Sequence, residues 1–184
     1  MTLAPAFLPG ALSVQDCARL IAAAQAGTMR LAGLVRAGAD QQLRRAETAW
    51  VDDLPGCDWL MPQILRLVAE ANRDAFDFDL ADFGESAQIA RYGAERQAHF
   101  GWHSDIGAGP WAARRKLTIV VQLSDPAAYE GGALEIWPDA GTLTAPRACG
   151  LAAIFPSFQL HRVTPVTLGT RWSLTLWAHG PAFR

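Results

Sequence analysis

The chain has 184 residues, of which 51% are hydrophobic and 18% are charged, and its formal net charge is −2. This length is typical of one domain, and the hydrophobic content excludes a disordered chain. The near-neutral charge excludes a basic protein that binds nucleic acid non-specifically, and no stretch reaches the ~18 apolar residues of a membrane span. We therefore expect no nucleic-acid partner and no membrane segment.

The three cysteines, Cys17, Cys57 and Cys149, are far apart and form no CxxC pair. Their number and spacing indicate neither a disulfide framework nor a zinc ribbon. Residues 1–12 are apolar but interrupted by prolines, with no basic residues ahead, which is a poor match to a signal peptide. Reduced thiols are typical of the cytoplasm, so we expect a cytoplasmic protein.

The first third of the chain has helical patterns. Ser13 with Asp16 three residues later predicts the start of one helix, and Gly27 predicts its end. Residues 59–76 have apolar side chains at helical spacing, which predicts a second helix. A short strand is predicted between them, at residues 47–51.

From Glu85 onward the hydrophobic period changes to two, which is typical of strands. The predicted strands are Ser86–Tyr92, Lys116–Leu123, Ala133–Trp137, Leu151–Phe155 and Arg171–Ala178. Helices followed by a run of short strands predict an α+β fold that is mainly β, with the helices packed on one face of a sheet.

The last predicted strand has two faces of different character. The apolar face is expected to pack on the helices, and it carries Trp172, Leu174 and Leu176. The other face is polar and carries Arg171, Ser173, Thr175 and Trp177. Because buried polar groups need partners, this face predicts a ligand inside the fold.

A candidate metal site follows from the histidines. His103 and Asp105 are two residues apart, so in an extended segment their side chains project to the same side. His161, after a predicted strand, is a candidate third ligand. Two histidines and one carboxylate suit non-haem Fe(II) and O2 chemistry. Taken alone, a His-x-Asp triplet is a weak signal and is more often an aspartate in a turn beside a surface histidine.

Arg171 and Ser173 share one face of the last strand. A guanidinium beside a hydroxyl is suited to binding a carboxylate through charge-assisted hydrogen bonds. The alternative for Arg171 alone is a surface ion pair. With an open metal site nearby, the pair predicts a ligand with a chelating end and a distal carboxylate, and 2-oxoglutarate has that shape.

Several segments occur in an order that resembles one enzyme superfamily. They are Gln88–Tyr92, Trp102–Asp105, Arg115–Asp125, Tyr129–Glu135, Phe155–Ser157, His161–Val166 and Arg171–Trp177. The sequence from Gln88 to Gly180 resembles the iron- and 2-oxoglutarate-dependent oxygenases. Within them it is similar to the prolyl 4-hydroxylase-like branch, including its PKHD-type members.

The resemblance implies a double-stranded β-helix, or jelly roll, with N-terminal supporting helices. One domain would cover residues 1–184, with mainly helical support in 1–84 and the jelly-roll core in 85–184. The implied iron ligands are His103, Asp105 and His161, and the implied cosubstrate clamp is Arg171. The resemblance also implies that the same pocket contains Ser173, Tyr92, Gln122, Leu134 and Trp177.

The implied activity is hydroxylation of a C–H bond in a small or peptidyl substrate derived from an amino acid, with release of succinate and CO2. It would require Fe(II), 2-oxoglutarate and O2, and we expect ascorbate to stimulate it. One alternative is a cupin-type metal-dependent hydrolase or lyase with the same ligands. Another is a jelly-roll binding module without catalysis. The sequence indicates neither the substrate nor the oligomeric state.

One residue departs from the family pattern, and several others have structural interpretations or are candidates for contact with the substrate. Phe100 stands where relatives often have a tyrosine, three residues before the first histidine ligand. Two segments, 93–102 and 106–111, are expected to act as lids, and in the first the residues expected to contact substrate are Glu95, Arg96 and Gln97. Trp50 and Trp59 are expected to be core anchors, and the basic run 114–116 a solvated strand entrance.

Overall fold

The computed structural model describes residues 3–32, 43–139 and 141–183. Its helices are α1 (Val14–Ala26) and α2 (Leu60–Ala71), and a single π-helical turn, Asn72–Phe76, follows α2 directly. The strands in the first half of the chain are β1 (Ala6–Leu8), β2 (Arg30–Leu31), β3 (Arg44–Arg45), β4 (Glu47–Trp50) and β5 (Gln88–Gly93). The later strands are β6 (His99–His103), β7 (Arg115–Gln122), β8 (Tyr129–Gly131), β9 (Leu134–Trp137), β10 (Leu143–Thr144), β11 (Ala152–Pro156), β12 (Leu160–Val163) and β13 (Val166–His179).

The strands form two antiparallel sheets. The large sheet has the order β1-β11-β7-β13-β5-β4-β2, and β8 pairs with the first part of β13. The small sheet has the order β10-β9-β12-β6-β3. Side chains from β5, β7 and β13 of the large sheet and from β6, β9 and β12 of the small sheet line one cavity. This is the predicted jelly roll, in which two sheets enclose a ligand-sized interior.

Both helices form for the reasons that the sequence indicates. Ser13 accepts a hydrogen bond at its Oγ from the backbone N–H of Asp16, 3.0 Å away, and so caps α1. Gly27 ends the helix, and its N–H donates to the carbonyl of Ala23. The buried residues of α2, Leu60, Ile64, Val68 and Ala71, recur at the predicted helical spacing. None of the helices in the described residues is long and apolar enough to cross a membrane.

Strand β13 separates the core from the cavity. Trp172, Leu174 and Leu176 are buried in one apolar cluster with the inward faces of α1 and α2. The intervening residues line the cavity, as predicted: Arg171, Ser173, Thr175 and Trp177. The helices therefore cover the outer face of the large sheet and leave its inner face to the cavity.

The structure has more strands than the sequence predicts. The additional ones are β1, β2, β3, β6, β8, β10 and β12. Most contain two to four residues, too few to show a period of two. In β6 all five residues are partly exposed, so burial does not alternate along this strand. Strand β13 also begins five residues before the predicted start, at Val166.

Of the two tryptophans expected to anchor the core, only one does so. Trp59 packs against the helical core cluster. Trp50 is 41% exposed and lines the cavity, so its prediction is wrong. Trp50 is the last residue of β4 and lines the cavity, whereas Ala49, the residue before it, is buried in the core cluster with the helices.

Candidate active site

The three candidate metal ligands converge on one point. His103 ends β6 and lies opposite His161 of β12 in the register of the small sheet. The Nε2 atom of His103 is 3.7 Å from Oδ1 of Asp105, and the Nε2 atom of His161 is 3.4 Å from Oδ2 of Asp105. One ligand atom from each residue lies within 4.8 Å of the others. The structure thus brings the three predicted residues together at the distances of a cation site.

Backbone carbonyls orient both imidazoles. Nδ1 of His103 is 2.8 Å from the carbonyl oxygen of Gly101, and Nδ1 of His161 is 3.1 Å from that of Gln159. Each Nδ1–H can donate to its carbonyl, which leaves the lone pair of each Nε2 for a metal. Phe100 also stacks on His103, with ring centroids 3.5 Å apart.

Asp105 is held by two side chains of the large sheet. Thr118 Oγ donates to Oδ2 at 2.7 Å, and Trp177 Nε1 donates to the same oxygen at 2.9 Å. Because both hydrogen bonds fall on Oδ2, Oδ1 stays available to a cation. Sequence reasoning placed Trp177 in the pocket, and the structure shows that its indole positions the carboxylate.

The protonation states at this centre suit a divalent cation. Burial and, after it, the neighbouring His161 lower the pKa of His103 to about 3, against the opposing effect of Asp105. Burial acts to raise the pKa of Asp105, but the two imidazoles and the hydrogen bonds from Trp177 and Thr118 outweigh it and lower the pKa to about 2. A neutral imidazole and an ionised carboxylate are the forms that bind metal.

Arg171 is fully buried on β13, in the large sheet. Its Nη2 donates to Oε1 of Gln122 at 2.9 Å, and its Nη1 donates to Oγ of Ser173 at 3.3 Å. The guanidinium carbon lies 5.3 Å from the centre of the Tyr92 ring. Nε is buried without a hydrogen-bond partner among the described residues. Burial lowers the pKa of Arg171, yet arginine remains charged, so an anion is the partner that this group lacks.

A glycine makes room for this arginine. Gly132 has φ +59°, and a Cβ there would lie 3.0 Å from Cδ of Arg171 and 2.9 Å from Cγ2 of Val166. A larger residue would therefore have both backbone strain and a contact with the clamp.

The cavity has a volume of about 430 Å³, within the range of small-molecule sites. The metal-ligand residues line it together with five of the predicted pocket residues, Tyr92, Leu134, Arg171, Ser173 and Trp177. Gln122 lies behind Arg171 and supports it from outside the cavity lining. One cavity therefore contains a cation site and a buried cationic group.

Comparison with known proteins agrees with this geometry. Residues 87–179, just over half of the chain, match the sequence profile of the 2OG-Fe(II) oxygenase superfamily. The chain belongs to this superfamily. Curated relatives of the chain include a PKHD-type hydroxylase of Azoarcus sp. (strain BH72), 39% identical over 77 residues that make up 40% of this chain and 34% of the relative. Another, from Sphingopyxis alaskensis, is 36% identical over 99 residues, 50% of this chain and 45% of the relative. The matched part spans less than half the length of these relatives.

Solved structures with the same fold align with nearly the whole chain. A prolyl hydroxylase from Trichoplax adhaerens, solved with a peptide fragment of hypoxia inducible factor, has a TM-score of 0.77 and 19% identity. The alignment covers 97% of this chain and 84% of that one. A prolyl-4-hydroxylase from Pseudomonas putida has a TM-score of 0.74 and 22% identity, with 97% and 93% covered. At these identities the likeness shows the jelly-roll fold.

The cavity also contains a second polar network, which was not predicted. Arg115 donates from Nε to Oε2 of Glu85 at 2.6 Å and from Nη1 to the carbonyl of Asp105 at 3.1 Å. His179, fully buried, contacts the same Glu85 oxygen through Nε2 at 3.0 Å. Burial acts to raise the pKa of Glu85, but His179 and Arg115 outweigh it and lower the pKa to about 2. The expectation that Arg115 belongs to a solvated strand entrance is wrong, because Arg115 lines the cavity.

The first predicted lid segment is part of the small sheet. Residues 99–103 form β6, between β12 and β3, and a 3-10 turn precedes it. Glu95 forms an ion pair with Arg91 at 2.8 Å, and among the described cavity-lining residues Glu95, Arg96 and Gln97 do not occur. None of the three lines the cavity, and their contact with a substrate stays a prediction.

Proposed function

We propose that the chain is an Fe(II)- and 2-oxoglutarate-dependent dioxygenase that hydroxylates a C–H bond and releases succinate and CO2. One observation carries the proposal. The same cavity is lined by the cluster of His103, Asp105 and His161 and by Arg171, which is buried without an anionic partner among the described residues. Family membership adds to it, because the superfamily is defined by Fe(II) and 2-oxoglutarate.

In this proposal Nε2 of His103, Nε2 of His161 and Oδ1 of Asp105 would hold iron. Three protein ligands leave further coordination positions open, as non-haem Fe(II) oxygenases require. When bound, iron and 2-oxoglutarate supply the activation of O2 and the oxidising power for C–H hydroxylation. The carbonyls of Gly101 and Gln159, with Thr118 and Trp177, keep the three ligands in their orientation.

Arg171 would bind the distal carboxylate of 2-oxoglutarate. Ser173 would add a hydroxyl beside the guanidinium, and Tyr92 would face the cosubstrate from β5. Gln122 holds the guanidinium in place through a neutral hydrogen bond, so the positive charge remains for the ligand. Leu134, 1% exposed, would form an apolar wall that excludes water from the cosubstrate.

The proposal includes a substrate derived from an amino acid, either small or peptidyl. Prolyl hydroxylases are among the solved structures with the same fold, and one of them was solved with a peptide. It also includes a single domain over residues 1–184 and a cytoplasmic location. The described cysteines support the location, because all three are free thiols.

The test is a screen of the purified chain for succinate formation from 2-oxoglutarate, with amino acids and peptides as candidate substrates. Reactions contain Fe(II), ascorbate and O2, and parallel reactions contain Zn(II) instead. We expect succinate only with iron, and its amount should rise when a true substrate is present. Turnover of a substrate with Zn(II) and without succinate would instead support a cupin-type hydrolase or lyase. A chain that binds no metal would contradict the proposal.

A further inference from the structure

We propose that Arg44 binds a carboxylate of the substrate, so that the substrate is a small free acid. This inference rests on the proposed function and names the substrate class of the same site. Arg44 lies on β3 and lines the cavity. Its guanidinium carbon is 4.6 Å from the centre of the Phe100 ring, and Phe100 stacks on His103. The guanidinium is thus one aromatic ring away from the candidate metal ligands.

Arg44 lacks an anionic partner in the described part of the chain. Its Nη2 donates to Oε1 of Gln88 at 2.6 Å, which is a neutral acceptor. Its Nε is buried with no hydrogen-bond partner among the residues that the structure describes. By contrast, nearby Arg115 is paired with Glu85. Burying part of a guanidinium with an N–H that makes no hydrogen bond costs free energy unless an anion binds to it. A carboxylate matches the planar geometry of the guanidinium.

The charges of the cavity lead to the same conclusion. Arg115 balances Glu85, and a divalent cation together with Arg171 would balance Asp105 and the two carboxylates of 2-oxoglutarate. Arg44 then remains as a positive charge without a counter-charge in the described residues that line the cavity. The carboxylate of a substrate would supply this counter-charge locally, in contact with Arg44, and a peptide segment without a carboxylate would not.

The cavity walls near Arg44 indicate the rest of the substrate. Leu43 and Phe100 flank Arg44 and are apolar. Trp50 also lines the cavity, and its 41% exposure places it at the mouth. An apolar side chain would fit between these walls, and the carboxylate would contact Arg44. Among amino-acid-derived compounds, this favours free amino acids with apolar side chains over residues inside a peptide, whose carboxyl groups are amides.

The experiment measures binding without turnover. The chain is loaded with Mn(II) and 2-oxoglutarate under argon, and the proteinogenic L-amino acids and their amides are titrated by calorimetry. We expect at least one amino acid with an apolar side chain to bind at least about 10-fold more tightly than its amide. Arg44→Gln should abolish this preference, and Arg44→Lys should retain part of it. Arg45→Gln is the matched control, because Arg45 donates to the carbonyl of Arg96, outside the cavity lining, and the preference should persist.

Two results would overturn the inference. One is that no amino acid binds more tightly than its amide to the unmodified chain. The other is that Arg44→Gln keeps the full preference while its circular dichroism matches that of the unmodified chain. If Arg44→Gln does not fold, the inference is still tested by the preference of the unmodified chain for the acid over the amide and by the partial preference expected of Arg44→Lys. Failure of the proposed function would be separate, because it would show as an absence of iron-dependent succinate in the succinate screen.

Discussion

Gln122 accepts a hydrogen bond from Arg171 at 2.9 Å, and both side chains are almost completely buried. A neutral amide fixes the position of the guanidinium but leaves its charge uncompensated. A carboxylate in place of Gln122 would form a buried ion pair and compete with any anionic ligand. Because its partner is neutral, Arg171 keeps a charge that can bind an anionic ligand. Arg44 is in the same situation, since its hydrogen-bond acceptor Gln88 is also neutral.

Replacing any one of the candidate metal ligands with alanine should abolish iron binding and succinate formation. We expect activity to fall at least about 100-fold for His103→Ala, Asp105→Ala or His161→Ala, because loss of outer partners alone costs about 10–100-fold. Metal content, succinate assays and circular dichroism measure these effects. His99→Ala is the control on the same strand and should retain iron. A fully active His161→Ala variant would contradict the site.

Arg171→Ala should weaken the binding of 2-oxoglutarate and leave the binding of iron unchanged. The distal carboxylate loses its counter-charge in a dry part of the cavity, so we expect the apparent affinity to fall at least about 10-fold, or roughly 1.4 kcal/mol. Calorimetry with Mn(II) under argon measures both affinities. Arg171→Lys should be intermediate, since lysine keeps the charge without the planar fork. Equal loss of metal and 2-oxoglutarate would indicate collapse of the cavity instead.

Trp177→Phe should weaken iron binding by about 10-fold, because Asp105 loses the hydrogen bond from the indole. Trp172→Phe is the matched control: it makes the same change on the same strand, and Trp172 packs in the apolar cluster with the helices. We expect the control to lower thermal stability and to leave iron affinity unchanged. Equal iron affinity in the two variants would show that the indole has no positioning role.

Glu85 should contribute to stability in a pH-dependent way. Its pKa is about 2 in the folded chain against an ordinary value of 4.5, so its contribution is complete above pH 4.5 and disappears as the pH falls toward 2. The shift corresponds to an upper limit of about 3 kcal/mol. Urea unfolding of the unmodified chain and Glu85→Gln should therefore differ most near pH 7. A difference that is independent of pH would contradict this assignment.

The site could be predicted from the sequence where its residues are close together or alternate. The spacing of His103 and Asp105 puts their side chains on one side of an extended segment, and the alternation along β13 puts its polar residues on one face. The resemblance to the oxygenases added that these side chains share a pocket, and the structure shows that they line one cavity. Thr118 and Gln122 support the site from β7, but strand β7 gives no local signal of what its residues contact. Arg44 reaches the cavity through a two-residue strand, which is too short to predict.

Two sheets contribute to the cavity in different ways. The imidazoles of His103 and His161 belong to the small sheet, and Arg171 belongs to the large one. A ligand that coordinates the metal at one end and Arg171 at the other would act as a non-covalent cross-link between the two halves of the sandwich. Because such a ligand binds only when both halves are in place, its binding energy would add to the energy that resists their separation. The resistance of the chain to unfolding would then depend on the supply of 2-oxoglutarate as well as on its own packing.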